Sequence, residues 1–222
     1  MTAVTVIAID GPSGSGKSTV SRGVGAALGW AVLDTGAMYR AVTLAALDAG
    51  VDLDDEAATA KIAGEVTVEA GSERVLLDGR DVTDAVRGPE ATAAVSTVAA
   101  HPSVRQALVA RQREWIERRG EGVVEGRDIG TVVFPDAALK VFLTASNAER
   151  ARRRHRDEAA AERDRAVSDI ENDMARRDTH DSRRKTSPLR PDAGALIVDT
   201  TARPVHEVVD DIVRRFRAGG PG

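Results

Sequence analysis

A glycine-rich segment between a predicted strand and a predicted helix constrains this chain more than any other feature. Residues 4–9 are rich in β-branched side chains, which predicts a buried strand, and residues 17–28 have helical spacing that ends at Gly29. The segment between them fits the pattern G-x-x-x-x-G-K-[ST] at every fixed position and reads Gly11-Pro12-Ser13-Gly14-Ser15-Gly16-Lys17-Ser18. Because the motif and its strand-and-helix context occur together, we predict a phosphate-binding loop (P-loop).

The residue types of the P-loop explain how it would bind a nucleoside triphosphate. Glycines allow backbone N–H groups to face an anion, and the start of the following helix adds its partial positive charge. Lys17 can reach the β- and γ-phosphates, and Thr19 can support the phosphate contacts. The Ser18 hydroxyl can ligate Mg²⁺, which we expect as the cofactor.

The order of the other predicted elements is typical of an α/β fold with a parallel sheet. Further strands are predicted at 31–33, 122–125, 140–143 and 195–198. Helices are predicted at 37–49, 54–63, 89–99, 102–119 and 204–217. Residues 66–83 instead have the pattern of a small antiparallel insertion that turns at Gly71-Ser72 and Asp78-Gly79.

Residues 150–181 are polar nearly throughout and crowded with arginine. They have helical propensity but only a weak apolar stripe, so we do not expect them in the core. The pattern fits a mobile helical lid and a solvated hairpin equally well.

Composition excludes several classes of function. The 222 residues include no cysteine, which excludes disulfides, thiolate catalysis and thiolate zinc sites. A formal net charge of −4 provides no general attraction to nucleic acids or anionic membranes, and we expect neither as a partner. No apolar run is long enough to span a bilayer, and the N-terminus lacks the pattern of a signal peptide. We therefore expect a cytoplasmic location.

Two polar motifs follow predicted strands, where ligands bind in open parallel sheets. After the second strand, Thr35 is expected to cap the next helix, with Tyr39 and Arg40 in its first turns. After the third strand of the sheet, Arg127 and Asp128 occupy a glycine-flanked turn. Arg40 could be an ordinary surface arginine, and Arg127 and Asp128 could form a local ion pair.

A third motif closes the polar segment. Arg177, Asp181 and Arg184 are spaced at i, i+4 and i+7, so one helical face could carry all three. The cluster could also be a solvated, self-paired helix. Beside a P-loop, several arginines indicate a second phosphate site, because a kinase must offset the repulsion between two polyanions.

The P-loop alone does not identify the acceptor. No N-K-x-D motif is present, which argues against a GTPase. No apolar strand ends in Asp-Glu, which argues against a large oligomeric ATPase. A small-molecule kinase fits the motifs best.

At these residues the sequence resembles bacterial cytidylate kinases, and the resemblance extends over nearly the whole chain. It is carried by Ile9-Asp10-Gly11-Pro12, by Leu33-Asp34-Thr35-Gly36-Ala37-Met38-Tyr39-Arg40, by Glu125-Gly126-Arg127-Asp128-Ile129-Gly130-Thr131-Val132-Val133, by Ser187-Pro188-Leu189 and by Ala195-Leu196-Ile197-Val198-Asp199. The resemblance implies one domain over residues 1–222. Its core would be a five-stranded parallel sheet with helices on both faces, with a nucleotide-binding insertion at about 60–86 and a helical lid at about 150–181.

The resemblance also implies an activity and a set of residues. The reaction would be ATP-dependent phosphorylation of CMP or dCMP in pyrimidine nucleotide metabolism, by a monomer without an obligate protein partner. Arg40 and Arg127 resemble clamps for the CMP phosphate, positioned with help from Thr35 and Tyr39. The resemblance implies that Ser96, Arg105 and Asp128 read the cytosine. It implies contacts with the ribose and the transferred phosphoryl group by Arg177, Asp181 and Arg184. It also implies a lid arginine over ATP at Arg154, with its neighbours Arg150 and Arg153. Catalytic roles would fall to Lys17, Arg127, Arg177 and Arg184.

The chemistry of cytosine agrees with the three readers. A carboxylate and a hydroxyl can accept from the N4 amino group, and an arginine can donate to O2 and N3. Uracil has an oxygen at position 4, which would face Asp128, and a buried mismatch of this kind discriminates strongly. The role of Glu125 stays open, since it could lie behind Mg²⁺-bound water or support its loop.

Two other functions fit the P-loop. A shikimate- or gluconate-type kinase would lack the three cytosine readers. A module that senses ATP without catalysis would use residues 150–181 to contact a partner protein.

Overall fold

The protein is a mainly helical α/β structure built on eight strands and eight helices; the computed structural model describes residues 4–71, 73–160, 166–184 and 187–219. The strands are β1 (Thr5–Asp10), β2 (Val32–Asp34), β3 (Val68–Ala70), β4 (Val75–Leu77), β5 (Arg80–Asp81), β6 (Glu121–Gly126), β7 (Leu139–Thr144) and β8 (Leu196–Asp199). The helices are α1 (Lys17–Leu28), α2 (Thr35–Asp48), α3 (Glu56–Glu65), α4 (Pro89–Val98), α5 (Pro102–Glu117), α6 (Asn147–Ala160), α7 (Val167–Arg183) and α8 (Val205–Arg217).

A five-stranded parallel sheet in the order β2-β6-β1-β7-β8 forms the centre of the molecule. This confirms the predicted α/β class. In the register, Asp10 pairs with Gly126 across β1 and β6, and Asp34 pairs with Glu125 across β2 and β6. The carboxyl ends of three neighbouring strands therefore meet at one edge, and the loops that follow them lie side by side.

Apolar layers cover both faces of the sheet, because successive residues of β1 point to opposite sides. Val6 and Ala8 pack in a cluster with α2 and α5, whereas Ile7 and Ile9 pack in a cluster with α1 and α8. A strand buried on both faces has a continuous apolar sequence, which is why residues 4–9 lack polar alternation.

The insertion is a three-stranded antiparallel sheet in the order β3-β4-β5. Asp78 and Gly79 have φ values of 50° and 80° at the turn between β4 and β5, as tight hairpins require. The last strand of this sheet is the short segment Arg80–Asp81. The other predicted turn was Gly71-Ser72, and its second residue, Ser72, lies outside the described residues.

The polar segment forms two helices, α6 and α7, that pack against each other. Ala151, Ile170 and Met174 are buried together between them, which explains the weak apolar stripe. The helical region begins at Asn147 rather than at 150, and residues 161–165 of the predicted lid lie outside the described residues.

Two local expectations were wrong or incomplete. Asp34, not Thr35, caps α2: its side chain accepts from the Ala37 N–H at 2.9 Å, and Thr35 is the first residue of the helix. The turn after β6 is a π-helical turn, Ile129–Val133, that the sequence pattern did not predict. Among the described residues no helix is both long and apolar enough to cross a membrane.

Candidate active site

The P-loop lies between β1 and α1 and has the backbone that its glycines permit. Gly11, Gly14 and Gly16 have φ values of 151°, 74° and 88°, where side chains are strained. A Cβ at Gly14 would lie 2.8 Å from the Met174 Cε on α7. Glycine is therefore needed at this position for the backbone turn and for the approach of the second polar helix.

Lys17 is buried at the start of α1. Its ammonium donates to the Pro12 carbonyl at 2.7 Å, which folds the side chain back along the loop. Burial, followed by repulsion from Arg127, lowers the pKa of Lys17 to about 7. Phosphates beside it would favour the charged form, because opposite charge favours ionisation.

Ser18 and Glu125 form a pair of oxygen groups next to Lys17. The Ser18 hydroxyl donates to Glu125 Oε2 at 3.1 Å, and Glu125 is 3% exposed. Burial, followed by repulsion from Asp34, raises the pKa of Glu125 to about 7. The Thr35 hydroxyl donates to the Glu125 carbonyl at 2.7 Å and so ties the ends of β2 and β6 together.

Arg40 lies one turn into α2 and faces the same edge. Its guanidinium donates to Asp34 Oδ2 at 3.2 Å and is about one-fifth exposed. The interpretation of Arg40 as an ordinary surface arginine is therefore wrong, since the side chain is packed against the loop that follows β2.

Arg127 connects the P-loop to α7. Its side chain donates to the Gly11 carbonyl and to Asp181, each at 3.1 Å. The alternative of a local pair with Asp128 is wrong, because Asp128 instead accepts from Arg105.

The third motif converges on the same place. Asp181 is buried and accepts from both Arg127 and Arg184, and Arg184 lies just past the end of α7. Burial, followed by repulsion from Arg127, lowers the pKa of Arg177 to about 10. The Nε atoms of Arg177 and Arg184 are buried with no hydrogen-bond partner among the described residues, which leaves donors for an anion.

The proposed base readers Arg105 and Asp128 form a buried ion pair, and each is 5% exposed. Arg105 lies over the Tyr39 ring, 5.6 Å from its centroid. Burial raises the pKa of Tyr39 to about 12. A base that bound here would have to insert between groups that now satisfy each other. The third reader, Ser96, is half-buried on α4.

Two of the three arginines of α6 that were predicted to lie over ATP contact the P-loop. Arg150 donates to the Ser13 carbonyl at 3.0 Å, and Arg153 donates to the Thr200 carbonyl at 2.6 Å and its hydroxyl at 3.0 Å. Arg154 instead donates to Glu158 on its own helix at 2.9 Å. Of the three, Arg150 and Arg153 are held against the loop.

Sequence reasoning missed several residues of this region. Asp10 accepts from two backbone amides of the π-helical turn, and Thr200 donates to the Ser15 carbonyl at 3.0 Å. Gln112 is 1% exposed and its side chain lies beside the Tyr39 hydroxyl. A polar residue at the end of a predicted strand was the available signal for Asp10 and Thr200, whereas the single Gln112 had none.

Taken together, the site offers cationic donors from three directions around Lys17. They come from the P-loop, from the turns after β2 and β6, and from α7. Such an arrangement can hold two phosphorylated groups end to end and can stabilise the charge that passes between them.

Comparisons with a family model and with individual proteins agree on one family. The sequence matches the family model described as cytidylate kinase over residues 7–218. A cytidylate kinase from Desulfitobacterium hafniense is 46% identical over 95% of this chain and 91% of that protein. One from Mycolicibacterium paratuberculosis is 47% identical over 97% of each.

Some relatives are longer. A bifunctional pantoate ligase/cytidylate kinase from Synechococcus is 49% identical over 96% of this chain, which spans 40% of that protein's length. Among solved structures, a gluconokinase from Sinorhizobium meliloti is 17% identical with a TM-score of 0.51, covering 99% of this chain and 95% of its own. At that identity the likeness concerns the fold alone.

Proposed function

The chain belongs to the cytidylate kinase family, and on that premise we propose that it transfers the γ-phosphoryl group of ATP to CMP or dCMP. The products are ADP and CDP or dCDP. The single observation that carries the proposal is the convergence of Arg40, Arg127 and Arg177 beside Lys17, with buried Asp181 pairing Arg127. These arginines come from outside the P-loop and offer donors that suit a second phosphate.

The reaction needs positioning more than covalent chemistry. A phosphate oxygen of CMP attacks the γ-phosphorus, a new P–O bond forms, and the bond to the oxygen bridging the β- and γ-phosphates breaks as ADP leaves. The attacking oxygen is already anionic, so no general base is needed. Lys17, Arg127, Arg177 and Arg184 would stabilise the charge on the transferred group.

The acceptor nucleotide would lie between α2, α4 and α7. Arg40 and Arg127 would hold its phosphate, with Thr35 and Tyr39 positioning it. Asp181 and its arginine neighbours would contact the ribose. Ser96, Arg105 and Asp128 would read the cytosine, after the ion pair between the last two opens to admit it.

The donor side would use the P-loop residues and Mg²⁺. The Ser18 hydroxyl beside the Glu125 carboxylate is a hard-oxygen set that suits Mg²⁺. Ser18 would ligate the ion and Glu125 would contact its water, where the ion would neutralise phosphate charge. The insertion at 60–86 would close over the acceptor, and residues 150–181, with Arg154, would close over ATP.

We further propose that the chain acts in the cytoplasm as a monomer, with ATP and CMP or dCMP as its partners. No nucleic acid, membrane or obligate protein partner enters this proposal.

A coupled assay of ADP release tests the activity directly. The acceptor panel is CMP, dCMP, UMP, AMP, shikimate and gluconate, each with Mg²⁺ and ATP. We expect turnover with CMP and dCMP to exceed that with all the others. Turnover with shikimate or gluconate alone would replace the proposal with a different small-molecule kinase. Absence of turnover with every acceptor would favour an ATP-sensing module.

A further inference from the structure

The turn that carries Arg127 and Asp128 continues into an unusual backbone. Residues Ile129–Val133 form a π-helical turn, a conformation that is rare and frequent at functional sites. Its hydrogen bonds are wider than those of an α-helix, and its ends need other partners. Two charged side chains supply them, one at each end.

Asp10 holds the amide end. Its two carboxylate oxygens accept separately from the Ile129 and Gly130 N–H groups, each at 2.8 Å. Asp10 is the last residue of β1 and is 5% exposed, so this contact joins the central strand to the turn.

Arg113 holds the carbonyl end. From the surface of α5 its guanidinium donates to the Val133 carbonyl at 3.0 Å and to the Val132 carbonyl at 3.1 Å. The carboxylate at the amide end and the guanidinium at the carbonyl end both complement the dipole of the turn.

The geometry assigns Asp10 and Arg113 as positioning residues that fix the direction of Arg127 and Asp128. This inference rests on the proposed function, because it concerns how that site receives CMP. Neither residue is among those proposed to contact the nucleotide. Each acts on the turn, whose first residue follows Asp128 directly.

Burying the Asp10 carboxylate carries a desolvation cost. The pKa of Asp10 is raised to about 6, chiefly by burial; the two amides oppose this increase, and the nearby Asp128 carboxylate adds to it. An apolar residue would avoid this cost but would leave two buried amides unsatisfied.

Two substitutions test the inference from opposite ends of the turn. Asp10→Asn keeps the shape but has one acceptor oxygen for two amides, and Arg113→Met keeps the stem but removes the donors. We expect KM for CMP to rise roughly tenfold in D10N and several-fold in R113M, on the scale of losing a charge-assisted hydrogen bond. KM for ATP should change less than twofold in R113M, and the preference for CMP over UMP should fall in both.

Matched controls separate positioning from general loss of stability. Arg118→Met removes an exposed arginine from the end of α5, and Ile212→Val loosens the core under α8 on the other face of the sheet. Neither control should change the ratio of the two KM values. Equal changes in both KM values for D10N and R113M, or no change, would overturn the inference.

If D10N fails to fold, R113M decides the question, since Arg113 is exposed on α5. Failure of the wild-type protein to phosphorylate CMP would instead contradict the proposed function, so the two failures are distinguishable.

Discussion

Arginine side chains in this site are held close to one another at an energetic cost. Repulsion from Arg127 contributes to the lowered pKa values of both Lys17 and Arg177. Asp181 on α7 offsets part of this repulsion by pairing with Arg127 and Arg184. Bound phosphates would relieve this repulsion, and the relief would make the free energy of phosphate binding more favourable.

Arg127 provides the sharpest test of the phosphate clamp. We expect Arg127→Ala to lower kcat by roughly 10²-fold, on the scale of losing one electrostatic donor in the transition state. The measurement is steady-state turnover with saturating ATP and CMP.

Arg214→Ala is the matched control for Arg127→Ala, because Arg214 is exposed on α8 and pairs only with Asp211 among the contacts described for it. A circular dichroism spectrum should show that both variants are folded. Wild-type turnover in R127A would remove Arg127 from the clamp.

Substitution of Asp128 tests whether this side chain selects cytosine over uracil. In Asp128→Asn the side chain gains an amide donor that can face the uracil O4, so we expect the ratio of kcat/KM for CMP over UMP to fall by at least tenfold. The same change weakens the pair with Arg105, which acts in the same direction. Initial rates with each nucleotide measure the ratio.

Asp136→Asn controls for the loss of one negative charge near the turn, since Asp136 is exposed. A preserved preference for CMP in D128N would show that other residues select the base.

At the scale of elements, α6 and α7 rest on the P-loop through few apolar side chains. Met174 reaches Gly14, and Arg150 on α6 donates to both Ser13 and Asp178. The apolar cluster between the two helices has three buried members, compared with the large clusters on the sheet. A pair of helices held mainly by polar contacts opens at low free energy.

Hydrogen–deuterium exchange tests this assignment of a lid. We expect peptides from α6 and α7 to exchange quickly in the free protein and several-fold more slowly with CMP and a non-hydrolysable ATP analogue bound. Peptides from α8, which packs on the core, serve as the internal control and should change little. Equal protection of α6 and α7 in both states would mean that the helices do not close over the nucleotides.

At the scale of the whole molecule, the parallel sheet collects titratable groups at one edge and buries them. Asp10 and Glu125 end neighbouring strands, and burial raises their pKa values to about 6 and about 7. Each carboxyl group therefore stays protonated in the folded protein at pH values where the unfolded chain has released the proton. Their contribution to stability is complete below the unfolded pKa and is lost as pH rises through the folded pKa.

We therefore expect these carboxyl groups to make the nucleotide-free protein less stable as pH rises from about 4.5 to 7. Glu125→Gln, which cannot titrate, should reduce this slope, whereas the exposed control Glu117→Gln should not. Urea unfolding at several pH values measures the slope. An E125Q slope equal to that of the wild type would mean that Glu125 is already ionised in the folded protein.

Local patterns in the sequence predicted many elements of the fold. The β-branched run of β1, the P-loop glycines and the Asp78-Gly79 hairpin depend on neighbours in the chain, and each prediction was confirmed. The predicted cap at Thr35 failed because two adjacent residues can each cap a helix, and packing assigned Thr35 to the Glu125 carbonyl instead. The π-helical turn was missed because its hydrogen-bond partners are far away in the chain.

By itself the sequence determined the α/β class, the P-loop and the clustering of arginines that we propose bind a second phosphate. These features follow from short-range backbone preferences and from spacing along one helix or strand. Only the tertiary structure decided which charges meet. Arg127 pairs with Asp181 rather than with its neighbour Asp128, and Asp128 pairs with Arg105, because the order of the strands and the packing of α5 and α7 bring together groups more than 20 residues apart. Electrostatic partners in a buried site are set by distance in space, which the order of residues along the chain does not specify.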